Sequence, residues 1–442
     1  MRTRLFLTGV LALVTLLLSA PSASAHTELD SSSPKGGAHL ARTPRTVKLT
    51  FSERVDPADV HVTAHGKRLP AEPAATGKPD TVVVRVPKGS GDTRLNLNWH
   101  VRDIEDGHPT SGTLTFRIGN GGSGASAPRA DTGHAAVAPS ATVRNAWAVS
   151  RWVGYLALAL FVGGLGFLAM LWPQGTEDRR TRRILAASWV CGLAATVVGA
   201  GLQGAYGAMG SLGDVLRLST YIDLLGSGDV GIVLACRALM WLLAAVVLAA
   251  LLQGGERAAR SPGWRVGAGV VCLGLLRTTG MAGHNSQGTH PGWGQVADLV
   301  HLLGISLWLG GLTLLLLGVL PRRRPEELSA AVSGYSTLAG VSVAAIVATG
   351  AVLAWQVVGS FSALFATGYG RLLLIKLAVL AVVLLIAQRS RRWVRTRLDI
   401  AVLLHGDRAT VRPFVHSVAA ETGLVLVVLA ATSLLVTAAP GR

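Results

Sequence analysis

Leu95-Asn96-Leu97-Asn98-Trp99, followed shortly by Asp106-Gly107-His108-Pro109 and Gly112-Thr113, is the stretch that decides how the first part of this chain folds. From Leu95 to Trp99 apolar and polar residues alternate, which is the period of a strand with one face in a core. Asp-Gly-His-Pro then breaks the pattern. Asp and Gly favour turns, and Gly107 permits backbone angles closed to other residues. The same alternation recurs at Val47-Lys48-Leu49-Thr50-Phe51, at Val60-His61-Val62 and at Thr81-Val82-Val83-Val84-Arg85-Val86, with Gly, Pro and Asp between the runs. Several short strands separated by turn signals within about 100 residues predict a β-sandwich or small barrel over residues 26–118.

Upstream, Arg2 and Arg4 precede an apolar run that reaches Leu18, and Ala23-Ser24-Ala25 follows. A basic start, a short apolar core and an A-x-A site read as a secretory signal peptide over residues 1–25, which predicts an exported β domain. Cleavage after Ala25 makes His26 the first residue of the mature chain. A terminal histidine offers its α-amine and its imidazole to one metal ion, a chelate that no internal histidine can form. Downstream, a Gly/Ser/Ala/Pro-rich stretch begins at Gly119 and reads as a flexible tether over residues 119–145.

Residues 146–442 have a different composition, dominated by Leu, Ala, Val and Gly. Eight apolar stretches, near 152–172, 184–204, 230–252, 266–283, 298–320, 335–357, 371–388 and 419–438, each suit a helix across about 30 Å of hydrocarbon. The expectation is an all-α polytopic membrane domain of about eight helices. The formal net charge of +17 does not point to nucleic acid. Its arginines cluster between alternate apolar stretches (Arg179 to Arg183, Arg257 to Arg265, Arg322 to Arg324, Arg389 to Arg412), as in the cytoplasmic loops of an inner-membrane protein. No P-loop or other nucleotide motif is present, which excludes an ATP-driven pump and a nucleotide partner. The partners expected are metal ions and the lipid bilayer.

Polar residues at membrane depth are costly and tend to carry function. His284 follows the fourth stretch, while Asp298 and His301 open the fifth, three apart and so on one helix face. His284 and His301 are therefore candidate metal ligands near the outer surface. Arg237, Lys376 and Glu421 read as ion pairs that fix helix packing. Cys191, Cys236 and Cys272 stand alone in apolar segments and read as small hydrophobes. His39, His61, His65 and His134 read as solvated surface residues.

His26 with Ser33-Pro34 and Gly37, then Leu49-Thr50-Phe51-Ser52-Glu53, Trp99, Asp106-Gly107-His108-Pro109 and Gly112-Thr113, resemble in order the copper-binding CopC family. That resemblance implies a Greek-key β fold and a Cu(II) site made of His26, Asp106 and His108. Amine, imidazole and carboxylate donors suit tetragonal Cu(II). Residues 26–118 hold no methionine, so a thioether Cu(I) site is not expected there. His301 with Trp308-Leu309-Gly310-Gly311-Leu312, and Tyr369-Gly370-Arg371 leading to Lys376, are similar to the CopD family of copper-resistance membrane proteins. Together the two halves resemble a CopC–CopD fusion. The implied function is capture of Cu(II) outside the membrane and transport of copper, as Cu(I) or Cu(II), across it by a protein that is not an enzyme. Two alternatives stay open: a haem-binding redox membrane protein, and a copper buffer or resistance protein without transport.

Overall fold

The computed structural model describes residues 29–52, 55, 60–64, 67–74, 79–87, 94–102, 109–119, 140–208, 210–226, 229–281, 291–322 and 325–358, with isolated helical positions between 365 and 388. The chain divides into two compact units. One contains residues 25–147 and 200–232; the other contains residues 148–199 and those from 233 onward.

The first unit is built on nine strands: β1 (Leu29–Ser33), β2 (His39–Leu40), β3 (Thr46–Phe51), β4 (His61–Ala64), β5 (Lys67–Leu69), β6 (Ala71–Pro73), β7 (Thr81–Arg85), β8 (Arg94–Arg102) and β9 (Pro109–Ile118). They form a four-stranded sheet in the order β1-β3-β7-β6 and a five-stranded sheet in the order β2-β9-β8-β4-β5. Alternation does the sorting. Val47, Leu49 and Phe51 of β3 and Val82 and Val84 of β7 share one core with Val62 of β4, Leu97, Trp99 and Val101 of β8, and Leu114 and Phe116 of β9. Each fully buried side chain of this size stabilises the fold by about 1.5–3 kcal/mol. The expected sandwich is therefore present.

The chain changes sheet between β1 and β2 at the Ser33-Pro34…Gly37 segment. Ser32 Oγ donates to the Pro34 carbonyl at 2.9 Å and accepts from the Gly36 N–H at 3.0 Å. Gly37, at φ 81°, occupies the left-handed region and donates its N–H to the Thr115 carbonyl of β9 at 2.8 Å. Only glycine adopts that angle without penalty, which accounts for the residue type there.

The helices are α1 (Ala141–Met170), α2 (Arg179–Gly207), α3 (Leu218–Leu225), α4 (Asp229–Arg260), α5 (Pro262–Gly280), α6 (Pro291–Leu314) and α7 (Pro325–Val358). After Leu314, α6 passes through one π turn, Leu315–Val319, and ends at Arg322. Five of these are long and apolar enough to cross a membrane: α1, α2, α4, α6 with its extension, and α7. The fourth expected span corresponds to α5, which is 19 residues long and carries Arg265 and Arg277. The seventh and eighth expected spans fall mostly or wholly outside the described residues, so eight reduces to five membrane-length apolar helices among those described. At 1.5 Å per residue the 30-residue α1 is about 45 Å long, more than the hydrocarbon core requires. The polar residues Arg144 and Asn145 lie in its first turns, ahead of the apolar run that signals it in sequence.

In the second unit α6 packs against three other helices. Gly163 of α1 and Gly310 of α6 touch, so close that a Cβ on Gly310 would stand 2.6 Å from the Gly163 Cα. This is the small-residue crossing that lets helix backbones approach in a membrane. On the α7 side, the Tyr335 hydroxyl donates to the Trp308 carbonyl at 2.6 Å, and its ring covers Gly311. On the α5 side, Arg277 Nη2 donates to Gln295 Oε1 at 2.8 Å. The Trp308-Leu309-Gly310-Gly311-Leu312 motif is thus a packing device on two faces of one helix.

Two arginines in the first turns of helices satisfy carbonyls near the C-terminal end of α4. Arg182 Nη2 donates to the Leu252 carbonyl, just before the backbone of α4 leaves helical angles at Gly255. Arg265 Nε donates to the Ala259 carbonyl at 2.8 Å. Such bonds supply donors that a helix C-terminus lacks.

Candidate metal centre

The sandwich gathers particular chain segments at one end. Leu29, the first described residue, pairs with Phe51 at the end of β3. Phe51 meets Trp99 across the core, with ring centroids 5.6 Å apart. Trp99 pairs with Gly112, and three positions further on Arg102 of β8 pairs with Pro109 of β9. A Cβ on Gly112 would lie 2.6 Å from Trp99 Cζ2, so the indole rests directly on that glycine. Beside this pair, Thr113 Oγ1 donates to Asn98 Oδ1 at 2.8 Å. The segment preceding Leu29 and the 103–108 connection therefore join the sandwich at the same end.

His26, Asp106 and His108 lie in those two segments and outside the described residues, as does His284. His301 is described. It sits about three turns into α6, because the helix begins at Pro291, a residue preorganised for a first turn, and not near Asp298. His301 Nδ1 and Thr349 Oγ1 of α7 are 3.1 Å apart, and that hydroxyl donates to the Ala345 carbonyl at 2.6 Å. With its hydrogen so directed, Thr349 is placed to accept from His301 Nδ1, and in a neutral imidazole that arrangement corresponds to the tautomer with its lone pair on Nε2. That tautomer suits a metal ligand. One turn earlier on α6, the Asp298 carboxylate packs directly on Gly280 at the end of α5. Arg237 of α4 reaches the same end of α5, donating from Nη2 to the Thr278 carbonyl. Its neighbours Tyr155 and Arg151 come from α1. Lys376 and Glu421, read together with Arg237 as forming ion pairs that fix helix packing, fall outside the described residues. Met240 packs on Gly274, a packing role. Cys272 is buried, while Cys191 and Cys236 are exposed on their helices.

Among the described residues no three His, Cys, Asp or Glu side chains converge in a way that could hold a metal ion. Two imidazoles do meet. His61 of β4 and His100 of β8 are directly paired in register, with rings 5.9 Å apart and 18° from parallel. His61 is half-buried in this stack, which corrects its reading as a solvated surface residue. His100 was not among the sequence candidates. The available signal was that both histidines sit between inward-facing apolar residues, in Val60-His61-Val62 and Trp99-His100-Val101. Alternation sends both outward, but which strands pair, and in what register, is not written locally.

Three family models match the chain in order: the CopC domain over residues 29–119, the copper resistance protein D-like N-terminal domain over 139–296, and copper resistance protein D over 329–435. Among curated proteins, the copper transport protein CutJ of Bacillus subtilis (strain 168) is 26% identical over 381 residues, which are 83% of this chain and 68% of that protein. Protein YobA of Escherichia coli (strain K12) is 29% identical over 113 residues, 24% of this chain and 90% of YobA. Among solved structures, CopC from Methylosinus trichosporium OB3b matches at 27% identity with a TM-score of 0.19, over 21% of this chain and 94% of CopC. The methionine-rich copper resistance protein PcoC from Escherichia coli matches at 24% identity with a TM-score of 0.18, over 21% of this chain and 99% of PcoC.

A β-sandwich followed by membrane-length helices, matched in that order by these models, defines a multi-pass membrane protein of the copper resistance and transport class. Within that class, the CopC match followed by the two copper resistance protein D matches supports a CopC–CopD fusion.

Proposed function

We propose that this chain captures Cu(II) outside the cytoplasmic membrane and carries copper inward across it. In this reading residues 1–25 are a removed signal peptide, and His26, Asp106 and His108 are the capture ligands. His284 and His301 then receive the ion at the membrane domain, as Cu(I) or Cu(II). The observation that carries the reading is the shared end of the sandwich: Leu29 beside Phe51, Phe51 against Trp99, and Arg102 paired with Pro109. Those pairings put the attachment points of the N-terminal segment and of the 103–108 connection at one end, where one ion could take ligands from both. Amine and imidazole nitrogens with a carboxylate select Cu(II) over earlier divalent metals, following Irving–Williams affinities. The contact of His301 Nδ1 with Thr349 supports its part, since in a neutral imidazole that donates there Nε2 is the metal-binding nitrogen.

Cell-associated copper, measured by elemental mass spectrometry in cells with and without the chain under limiting copper, tests this function. Import predicts higher copper with the wild type and no increase with His26→Ala. Lower or unchanged copper with the wild type would overturn it.

A further inference from the structure

The capture reading uses three ligands and leaves His61 and His100 unused. These two are the only imidazoles paired face to face among the described residues. They lie on the outer face of the five-stranded sheet, because their neighbours Val60, Val62, Trp99 and Val101 all face the core. The pair sits at the same end of the sandwich as Arg102 and Pro109, since His61 begins β4 and His100 is two residues before β8 ends. We propose that His61 and His100 form a second, bidentate site for a divalent transition-metal ion, with Cu(II) the preferred occupant.

Directly opposed residues on antiparallel strands have Cβ atoms about 4.5–5.5 Å apart. Two imidazole–metal bonds of about 2.0–2.1 Å at right angles need nitrogens about 3 Å apart. The rings stand 5.9 Å apart and 18° from parallel, so binding one ion requires both side chains to turn about χ1 and χ2 until a nitrogen of each faces the ion, while the backbone register stays fixed. Both strands are held on either side: β4 by β5 and β8 by β9, so the histidines are fixed in register before metal arrives. The neighbouring outward positions Thr63, Asn98 and Ser111 offer hydroxyl and amide groups and no carboxylate or thiolate. A donor set of two imidazoles completed by water suits tetragonal Cu(II), and Irving–Williams affinities rank Cu(II) first. A two-ligand site holds its ion more weakly and exchanges it faster than a chelating three-residue site. Its place at the end of the sheet where Arg102 and Pro109 pair fits a waiting position from which an ion reaches the proposed capture ligands.

The test uses the full-length chain purified in detergent, titrated with Cu(II) against a glycine competitor and followed by equilibrium dialysis and EPR. In a His26→Ala background, which removes the terminal chelate, one weaker Cu(II) remains per chain. Pulsed EPR of that species counts two equatorial imidazoles. Adding His61→Gln or His100→Gln weakens it at least about tenfold, with a circular dichroism spectrum unchanged from the background. Retention of the weaker Cu(II) in either double variant overturns the site. So does a count of fewer than two imidazoles in the His26→Ala protein, a readout independent of whether the glutamine variants fold. Cu(II) stoichiometry unchanged by His26→Ala alone would instead count against the capture ligands, and the pair would still be judged by its own variants.

Discussion

Phe51 meets Trp99 edge to face, with ring planes 69° apart and centroids at 5.6 Å, and this contact ties the end of β3 to the end of β8 across the sandwich. Both rings are almost fully buried. Phe51→Ala is expected to cost about 3–5 kcal/mol of sandwich stability, the range for deleting a buried aromatic ring. Because the contact ties together the strands next to the segments that hold the proposed capture ligands, Cu(II) affinity should fall as well if that proposal holds. Calorimetry with and without Cu(II) reads both effects. A variant that melts lower but binds Cu(II) as tightly as wild type would separate the ring from the site.

Removing the terminal chelate and removing the turn ligands should have unequal effects. If His26 is the first residue of the mature chain, His26→Ala takes away an imidazole, leaves the α-amine without its chelate partner, and is expected to weaken Cu(II) binding at least about a hundredfold, equivalent to about 2.7 kcal/mol. Asp106→Asn keeps shape and loses charge, and should cost less. Competitive titration of the purified full-length chain ranks the variants; an unchanged affinity in His26→Ala would remove the amine-chelate model.

Gly310 has no room for a methyl group. A Cβ there would press on the Gly163 Cα at 2.6 Å and on the Ala159 carbonyl at 2.7 Å, both backbone atoms that cannot swing aside. Gly310→Ala should therefore separate α1 from α6 and lower the thermal midpoint in detergent, whereas Gly267→Ala, where nothing lies within 4 Å, should be neutral or slightly stabilising. Equal behaviour of the two variants would contradict the tight crossing.

Thr349→Val removes the acceptor of His301 Nδ1 and leaves packing nearly intact. The loss of one such bond is worth about 0.5–1.5 kcal/mol. If His301 Nε2 receives copper, uptake should fall severalfold in Thr349→Val and nearly vanish in His301→Ala. Uptake equal to wild type in His301→Ala would remove this residue from the path.

Asp214 closes a capping box on the loop between α2 and α3. It accepts from the Ser211 N–H at 2.7 Å and from the Ser211 hydroxyl at 3.0 Å, and pairs with Arg217 at 2.7 Å. The bond from the Ser211 backbone N–H is the main reason its carboxyl lies below the usual value of 3.8, with the Ser211 hydroxyl and Arg217 adding to it. A carboxylate with a lowered folded pKa contributes stability that is fully present above its unfolded pKa. That contribution is lost as pH falls through the folded value. Hydrogen exchange of residues 211–225 should thus be independent of this group from pH 5 to 8 and faster in Asp214→Asn across that range. The difference between the two proteins should shrink below pH 3.8.

Much of this architecture is legible in the residues. The alternations around Leu49, Val83 and Leu97 became β3, β7 and β8, because a period of two leaves one choice of inward face. The apolar stretches became helices because hydrocarbon admits little else. What escaped was non-local. The short strands β2, β5 and β6 carry two or three residues each, too few for a period. α3, with Leu218, Ile222 and Leu225 exposed, lies in what reads as a loop. Its apolar face is a property of about two turns between two spans, below the length at which hydropathy signals a helix. At the candidate site, His301 is described in contact with Thr349, whereas His26, Asp106, His108 and His284 lie outside the described residues. The stacking of His61 on His100 depends on strand register, which no local stretch encodes.

Gly163 and Gly310 are roughly 150 residues apart in the chain, and their contact sets an order of events during synthesis. At about 5–20 residues per second, α1 emerges from the ribosome about 7–30 s before α6 exists. Throughout that interval the glycine groove of α1 faces lipid or the insertion machinery, with no backbone to fill it. The central helix pair is therefore among the last contacts to form, and a nascent chain stalled before Leu312 would hold every span up to α5 yet lack the partner against which α1 closes.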